Sequence, residues 1–176
     1  MSKKIIGGVV CSVVAVIGII AANYSDEIRS TERGLLIIGN AEGCRREPYK
    51  CPANVLSVGI GSTEAGGEHI EPKKRYTDDE IARRWVRDIQ IAEQCVNRFA
   101  NGNKLPLSVF ESLTSITFNV GCVAMRNSTI FAKAKAGELD SACNQFPRWV
   151  YAGGKKLNGL VIRRGKEKAL CLTDLR

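Results

Sequence analysis

The stretch NAEGCRREPYKCPANVLSVGIGST, residues 40–63, joins the end of a predicted helix to a cysteine-containing loop and a glycine-rich strand. A helix is predicted through TERGLLIIGNAE, ending near Gly43. Leu35 and Ile38 fall at positions i and i+3 of this helix, and Glu42 follows at i+7. The Glu42 carboxyl group is therefore expected on the inward face of the helix at its C-terminal end, where a buried acid can act as a proton donor.

The segment NVLSVGIGS, which follows Pro52, alternates in the way that predicts one strand of a small hairpin. Leu56, Val58 and Ile60 share one face and are expected to pack. Ser57 lies on the other face with glycines, where another group can approach the backbone closely. The same glycines could instead mark a β-bulge, and this alternative stays open.

Helices are predicted for the rest of the chain. Thr77 and Glu80 form a capping box at the start of a helix over roughly 78–100, whose apolar residues repeat every three or four positions. Shorter helices are predicted around 107–120, 128–135, 138–150 and 160–171. A hairpin followed by helices only predicts an α+β fold with a small N-terminal β-hairpin lobe and a larger helical C-terminal lobe.

The charge of the chain favours an anionic partner. There are 26 Lys and Arg residues against 18 Asp and Glu, a net charge of +8, in an otherwise ordinary globular composition. Charge alone does not distinguish nucleic acid, a membrane surface and an acidic polysaccharide. Nucleic-acid binding is not predicted, because no motif interleaves aromatic and basic residues.

The N-terminus has the pattern of an exported protein. Lys3 and Lys4 precede residues 5–22, a run of 18 without a charge that as a helix would rise about 27 Å and barely cross a bilayer. The positive charges at its start predict an uncleaved anchor with the remainder exported. This divides the chain into an anchor, residues 1–23, and a catalytic domain, residues 24–176. A cleaved signal peptide and a buried core helix are the alternatives.

The cysteine content also fits export to an oxidising compartment. The seven cysteines are Cys11, Cys44, Cys51, Cys95, Cys122, Cys143 and Cys171. Neither a CxxC pair nor a second histidine beside His69 is present, so no zinc site and no cofactor are predicted. Cys11 lies inside the apolar run, and the other six could pair in 15 ways.

The stretch AEGCRREPYKC followed by Ser resembles the catalytic signature of phage-type lysozymes, the endolysins of glycoside hydrolase family 24. That signature is Glu, eight residues, Asp or Cys, five residues, Thr. Glu42 and Cys51 hold its first two positions, and Ser57 stands where Thr is expected. SLTSITFNVG, residues 112–121, and the segment of residues 148–172 match the family further.

This resemblance implies a lysozyme-like fold and a muramidase acting on the glycan strands of peptidoglycan. Glu42 is expected as the proton donor and Cys51, as a thiolate favoured by nearby cations, as the second catalytic group. Ser57 would orient the attacking water. Arg163 and Arg164 are expected to support the fold and are left outside the catalytic residues.

The leader resembles that of the signal-anchor-release subset of these enzymes. Such a protein would be held in the inner membrane of the host through residues 5–22 and later be freed into the periplasm as a monomer. We expect a Cys44–Cys51 disulfide to keep the tethered protein inactive until Cys11 attacks Cys44 and frees Cys51. The structural disulfides are expected to be Cys95–Cys122 and Cys143–Cys171. A purely structural role for Cys44 is the rival hypothesis.

Two other functions stay open at this stage. A wall-binding relative without turnover is suggested by Ser57 in place of threonine. A cysteine peptidase would use Cys51 and His69, although the histidine has no evident orienting partner.

Overall fold

The computed structural model of the chain describes residues 10–51 and 54–176. The longer helices in these residues are α1 (Val13–Asn23), α2 (Glu32–Glu42), α3 (Asp78–Ala100), α4 (Leu107–Val120) and α8 (Asn158–Cys171). The short ones are α5 (Cys122–Met125), α6 (Thr129–Lys135) and α7 (Leu139–Cys143). The strands are β1 (Arg45–Lys50), β2 (Leu56–Gly59), β3 (Ser62–Thr63), β4 (Tyr151–Ala152) and β5 (Lys155–Lys156).

Strands β1, β2 and β3 form one antiparallel sheet in that order, so the predicted hairpin has a third strand. Strand β1 was not predicted because RREPYK is polar on both faces and contains a proline, and it lies at the edge of the sheet, where both are tolerated. A second hairpin joins β4 to β5 through Gly153 and Gly154, both at positive φ. The expectation of helices only after the first hairpin was therefore wrong.

Helix α3 connects the two halves of the core. Its capping box between Thr77 and Glu80 is present, as predicted. The N-terminal part of α3 packs against α1, α2 and the sheet, where Trp85 is fully buried. The C-terminal part packs against α4, α6 and the segment that leads to α8, around residues such as Phe110. The predicted apolar stripe of this helix thus contacts both lobes.

The described part of the predicted membrane segment forms a core helix in this structure. Val16, Ile17 and Ile20 of α1 are buried, and the helix packs against α2 and α3. Among residues 10–51 and 54–176, no helix combines the length and the hydropathy that a membrane span requires. This arrangement corresponds to the core-helix alternative, and residues 5–9 of the predicted span lie outside the described residues.

Two buried carboxylates fix the connection between α1 and α2. Glu93 of α3 accepts hydrogen bonds from the Ser30 amide and hydroxyl, both at 2.7 Å. Glu111 of α4 accepts from the Thr31 amide at 2.7 Å and the Thr31 hydroxyl at 2.6 Å. A carboxylate from another helix therefore occupies the positive N-terminal end of α2, where the Thr31 side chain makes no capping bond of its own. These contacts hold the helix that ends in Glu42.

Candidate active site

Glu42 is the last residue of α2, and its position follows from the face that this helix buries. Ile38 and Leu35 are buried one and two turns earlier, so Glu42 emerges on the same side. Gly43 ends the helix at φ +73°, a conformation that glycine adopts without strain. The Glu42 side chain is 25% exposed, which keeps it accessible at the edge of the core.

Arg163 of α8 binds the Glu42 carboxylate. Its Nη1 atom lies 2.7 Å from Glu42 Oε1, and its side chain is only 5% exposed. The guanidinium also donates to Glu167 Oε1 at 3.1 Å and to the Ser115 carbonyl at 3.1 Å. Glu167 is fully buried and forms a second ion pair, in which Arg164 Nη1 lies 2.5 Å from its Oε2 atom. A buried charge network therefore fixes one oxygen of the candidate acid.

Arg163 is the residue of the candidate site that the sequence reasoning missed. A structural role was expected for both Arg163 and Arg164, and both do support the fold through Glu167. The i, i+4 spacing from Arg163 to Glu167 can be read from the sequence. The contact to Glu42 crosses 121 residues of chain, and no local pattern reports it.

Gly61 faces the other oxygen of Glu42. It lies in the turn between β2 and β3 at φ +72°, and a Cβ atom there would sit 3.3 Å from Glu42 Oε2. The predicted close approach to the glycine face therefore occurs, and the approaching group is the candidate acid itself. At Gly59, in contrast, a Cβ atom would meet Ile81 of α3 at 2.8 Å, so this glycine serves packing.

Cys51 and Ser57 meet at one main-chain carbonyl. In the β1–β2 ladder Tyr49 pairs with Ser57, and the Cys51 amide donates to the Val55 carbonyl at 3.0 Å. The Ser57 hydroxyl donates to the same carbonyl at 3.3 Å, and Ser57 is only 2% exposed. The sheet register thus brings these two predicted site residues together, with the serine hydroxyl engaged by the backbone in this conformation.

Tyr49 lies beside both Glu42 and Cys51. Burial raises the pKa of the Tyr49 phenol, and the negative charges of Glu42 and Cys51 raise this pKa further. Arg45, whose guanidinium is 4.6 Å from the centre of the Tyr49 ring, has the opposite effect. Glu42 and Cys51 therefore both act electrostatically on Tyr49.

Two of the cations expected to stabilise a Cys51 thiolate interact with other side chains. Arg46 forms an ion pair with Asp78 at 2.5 Å, at the start of α3. Arg45 stacks on Tyr49, as described above. His69, the other partner considered for Cys51, binds Glu64 at 2.7 Å and is 76% exposed.

Three disulfides are present in the described residues. They are Cys11–Cys44, Cys95–Cys122 and Cys143–Cys171. The second and third are the pairs expected to hold the body of the protein. Cys44 is joined to Cys11, and the backbone supports this pairing, because the Cys11 amide donates to the Cys44 carbonyl at 3.2 Å. Cys51 lies outside these disulfides, in the arrangement expected after the predicted exchange.

One cavity is lined by Glu42 itself, and another is lined by Gly61, which faces the Glu42 carboxylate. One of about 320 Å³ lies between the β2–β3 turn, α3 and α4, and its lining includes Gly61, Asp88 and Phe118. Another of about 500 Å³ is lined by Glu42, Arg163 and apolar residues of α2 and α8. Space for a ligand therefore exists at the candidate acid and next to Gly61.

Comparison with known proteins gives one consistent result. The family model described as Phage lysozyme matches residues 39–167. The chain is 41% identical over 180 residues to a SAR-endolysin of Escherichia phage P1, covering 96% of this chain and 94% of that protein.

Two solved structures of the P1 phage endolysin Lyz differ in how closely this chain matches them. The active form matches with a TM-score of 0.87 at 40% identity, covering 97% of this chain and 98% of that one. The secreted inactive form matches with a TM-score of 0.58 at 40% identity, covering 84% and 97%. The fold described above is thus closer to the active form.

Proposed function

The chain belongs to the phage lysozyme family, and from this premise we infer that it is an endolysin. It is a glycoside hydrolase, a muramidase that cleaves the β-1,4 bond between N-acetylmuramic acid and N-acetylglucosamine in peptidoglycan and so lyses the host. The observation that supports this most is the position of Glu42. Arg163 binds one of its oxygens, the other faces Gly61, and its side chain lines a cavity of about 500 Å³.

Glu42 is proposed as the proton donor. Arg163 donates a hydrogen bond to Oε1, and Oε2 faces Gly61. We therefore assign Oε2 as the oxygen that carries the proton and passes it to the leaving glycosidic oxygen. Cys51, sharing the environment of Tyr49 with Glu42, would act as a thiolate that stabilises the cationic sugar or activates water. Ser57 would orient that water after its hydroxyl turns away from the Val55 carbonyl.

The N-terminal segment is proposed to exist in two states. Before release, residues 1–23 anchor the protein in the inner membrane of the host, with residues 24–176 as the catalytic domain in the periplasm. After release, the part of this segment that forms α1, Val13–Asn23, packs against α2 and α3, and the protein acts as a periplasmic monomer. The buried position of α1 and the nearness of the fold to the active form of the P1 endolysin support the second state.

A disulfide exchange would connect the two states. The Cys11 thiolate attacks Cys44 Sγ, the Cys11–Cys44 bond forms, and the Cys44–Cys51 bond breaks with Cys51 leaving as a thiolate. The proton of the Cys11 thiol passes to water. One disulfide replaces another, so the step needs neither an oxidant nor a reductant.

The identity of the new reducing ends tests the proposed activity. Purified peptidoglycan is digested, reduced with borohydride and hydrolysed, and the reduced amino sugars are identified. A muramidase yields reduced muramic acid, whereas a cut on the other side of N-acetylglucosamine yields reduced glucosamine. Glu42→Gln, which keeps the shape but removes the acid, should release neither.

A wall-binding relative without turnover is the second candidate. It is favoured by Ser57, which replaces the threonine of the family signature and whose hydroxyl is held by the backbone. Such a protein would bind the same walls and release no reducing ends.

A further inference from the structure

Glu167 of α8 is a buried carboxylate to which the proposed chemistry assigns no role. Its side chain is closed off from solvent, and both of its oxygens accept hydrogen bonds. The Ser115 hydroxyl donates to Oε1 at 2.6 Å, Arg163 Nε to the same oxygen at 3.1 Å, and Arg164 Nη1 to Oε2 at 2.5 Å. Since Arg163 also binds Glu42, one guanidinium group connects the buried carboxylate to the candidate acid.

Stability alone does not account for this network. Burial of charged groups costs free energy that their mutual attraction often fails to recover, and apolar residues of similar volume frequently pack at least as well. The cost is visible at Arg164, because burial lowers its pKa although Glu167 raises it. Buried charges beside a candidate catalytic acid therefore indicate a role in its chemistry.

The cations of α8 act directly on Glu42. Arg163 binds the Glu42 carboxylate, and Glu42 also acts electrostatically on Arg164, whose pKa it raises. A nearby cation favours the ionised form of a carboxyl group, which opposes its use as a proton donor. Glu167 pairs with both of these cations and adds one negative charge. Two cations and one carboxylate present a net charge of +1 to Glu42, whereas the two cations alone would present +2.

The remaining charged and titratable groups around Glu42 come from α8 and the sheet. Lys166 of α8 lines the same cavity and adds a further positive charge. From β1, Tyr49 interacts electrostatically with Glu42, and the Cys51 thiol and the Arg45 guanidinium act on the same phenol. The buried carboxylate of α8 is thus the group that offsets the cations of its own helix.

Glu167 also fixes the direction of the Arg163 guanidinium. Each nitrogen of this group donates to a different acceptor: Nε to Glu167, Nη1 to Glu42 and Nη2 to the Ser115 carbonyl. These acceptors belong to α8, α2 and α4. Because the guanidinium is rigid and planar, holding Nε and Nη2 determines where Nη1 points.

We propose that Glu167 is a positioning residue of the muramidase site, which holds the Arg163 guanidinium against Glu42 and offsets its charge, so that Glu42 keeps the proton it donates. The proposal rests on the proposed muramidase function and concerns how its acid is controlled. Glu167 itself contacts neither the substrate nor the reacting atoms.

The pH profile of kcat tests this role in Glu167→Gln, which keeps the shape of the side chain and removes its charge. Reducing ends released from soluble peptidoglycan fragments are measured over a range of pH values. The alkaline limb, where the acid loses its proton, should move about one pH unit lower because Glu42 then faces two cations without an offset. Above the limb kcat should fall by about tenfold, with KM nearly unchanged, and it should recover as the pH is lowered.

Two further variants change the charges in other ways. Glu167→Asp keeps the charge and should leave the limb where it lies in the unsubstituted enzyme, even where the shorter side chain lowers kcat. Arg164→Gln removes one cation and should move the limb to higher pH. This opposite shift tests the proposal if Glu167→Gln does not fold.

Glu111→Gln is the matched control for Glu167→Gln. Glu111 is also fully buried and also pairs with an arginine, Arg33 at 2.7 Å, but it lies at the start of α2, whereas Glu42 is at the end of this helix. Its substitution should lower stability in urea and leave the alkaline limb unmoved.

An unmoved limb in folded Glu167→Gln or in Arg164→Gln would overturn the proposal, because a purely structural role lowers activity at every pH. An equal shift in Glu111→Gln would overturn it too, since lost stability alone would then explain the effect. Failure of the unsubstituted enzyme to release reduced muramic acid would instead refute the proposed function.

Discussion

Replacing Cys11 with serine separates the two roles that the Cys11–Cys44 disulfide has in this account. In the single variant Cys11→Ser, Cys44 has no bond to Cys11 and can pair with Cys51, seven residues away. In the double variant Cys11→Ser, Cys44→Ser, no disulfide can engage Cys51 within this loop. We expect the single variant to be inactive under oxidising conditions and the double variant to be active.

The structure also gives the size of the stability change. The Cys11–Cys44 bond joins residues separated by 33 positions. The entropy of closing a loop of this length corresponds to about 4 kcal/mol of free energy of unfolding at 25 °C. The double variant should lose about this amount. The single variant regains part of it when Cys44–Cys51 closes a much shorter loop.

The assay measures the release of reducing ends from purified peptidoglycan with and without dithiothreitol, and unfolding by urea on the same samples. Reductant should activate Cys11→Ser severalfold or more, and it should not increase the activity of the double variant. The pairing in each sample is read from peptides prepared without reduction.

A single variant that carries the Cys44–Cys51 bond and is as active as the double variant would refute the reasoning, because Cys51 would then not be needed as a thiolate. An inactive double variant that is still folded would refute the claim that the pairing of Cys44 controls activity.

Three further substitutions test the site and the elements that hold it. Gly61→Ala should lower stability by about 1 kcal/mol through its positive φ and lower kcat by crowding Glu42, whereas Gly137→Ala, at φ +80° with open space around it, should show the stability loss alone in urea unfolding and kinetics. Asp88→Asn should raise the free energy of unfolding by roughly 3 kcal/mol at pH 8 and by little at pH 3.5, since ionisation of a carboxyl with a raised pKa destabilises the fold progressively up to about pH 6. Glu111→Gln should cost roughly 2–4 kcal/mol in thermal unfolding, because it removes the buried negative charge at the start of α2 and leaves one acceptor oxygen for the donors of Thr31 and Arg33.

The local elements around the site could be predicted from the sequence because each has a short-range signal. The apolar spacing before Glu42 and the Thr77–Glu80 capping box indicated the helices α2 and α3. The alternation around Val58 indicated β2. Val58 is buried as expected and Leu56 only partly, whereas Ser57 on the opposite face is buried as well. The glycines on the other face of this strand predicted that some group comes close to the backbone there. The structure identifies this group as the Glu42 carboxylate, next to Gly61.

The remaining features depend on contacts between distant parts of the chain. The ion pair from Arg163 to Glu42 and the cap that Glu111 gives to α2 join residues far apart in sequence. Helix α1 shows a different difficulty, because an apolar run of this composition suits both a bilayer and a protein core. Its sequence carries the signals of export, and the buried side chains show the packed state.

The cysteine pairing in the two proposed states is the most direct test of the central claim. Membrane-bound and released protein are alkylated without reduction, digested, and their disulfide-linked peptides are identified by mass. The account predicts Cys44–Cys51 with alkylated Cys11 in the membrane fraction, and Cys11–Cys44 with alkylated Cys51 in the released fraction. Membrane-bound protein that already carries Cys11–Cys44, or in which Cys51 is alkylated, would contradict it.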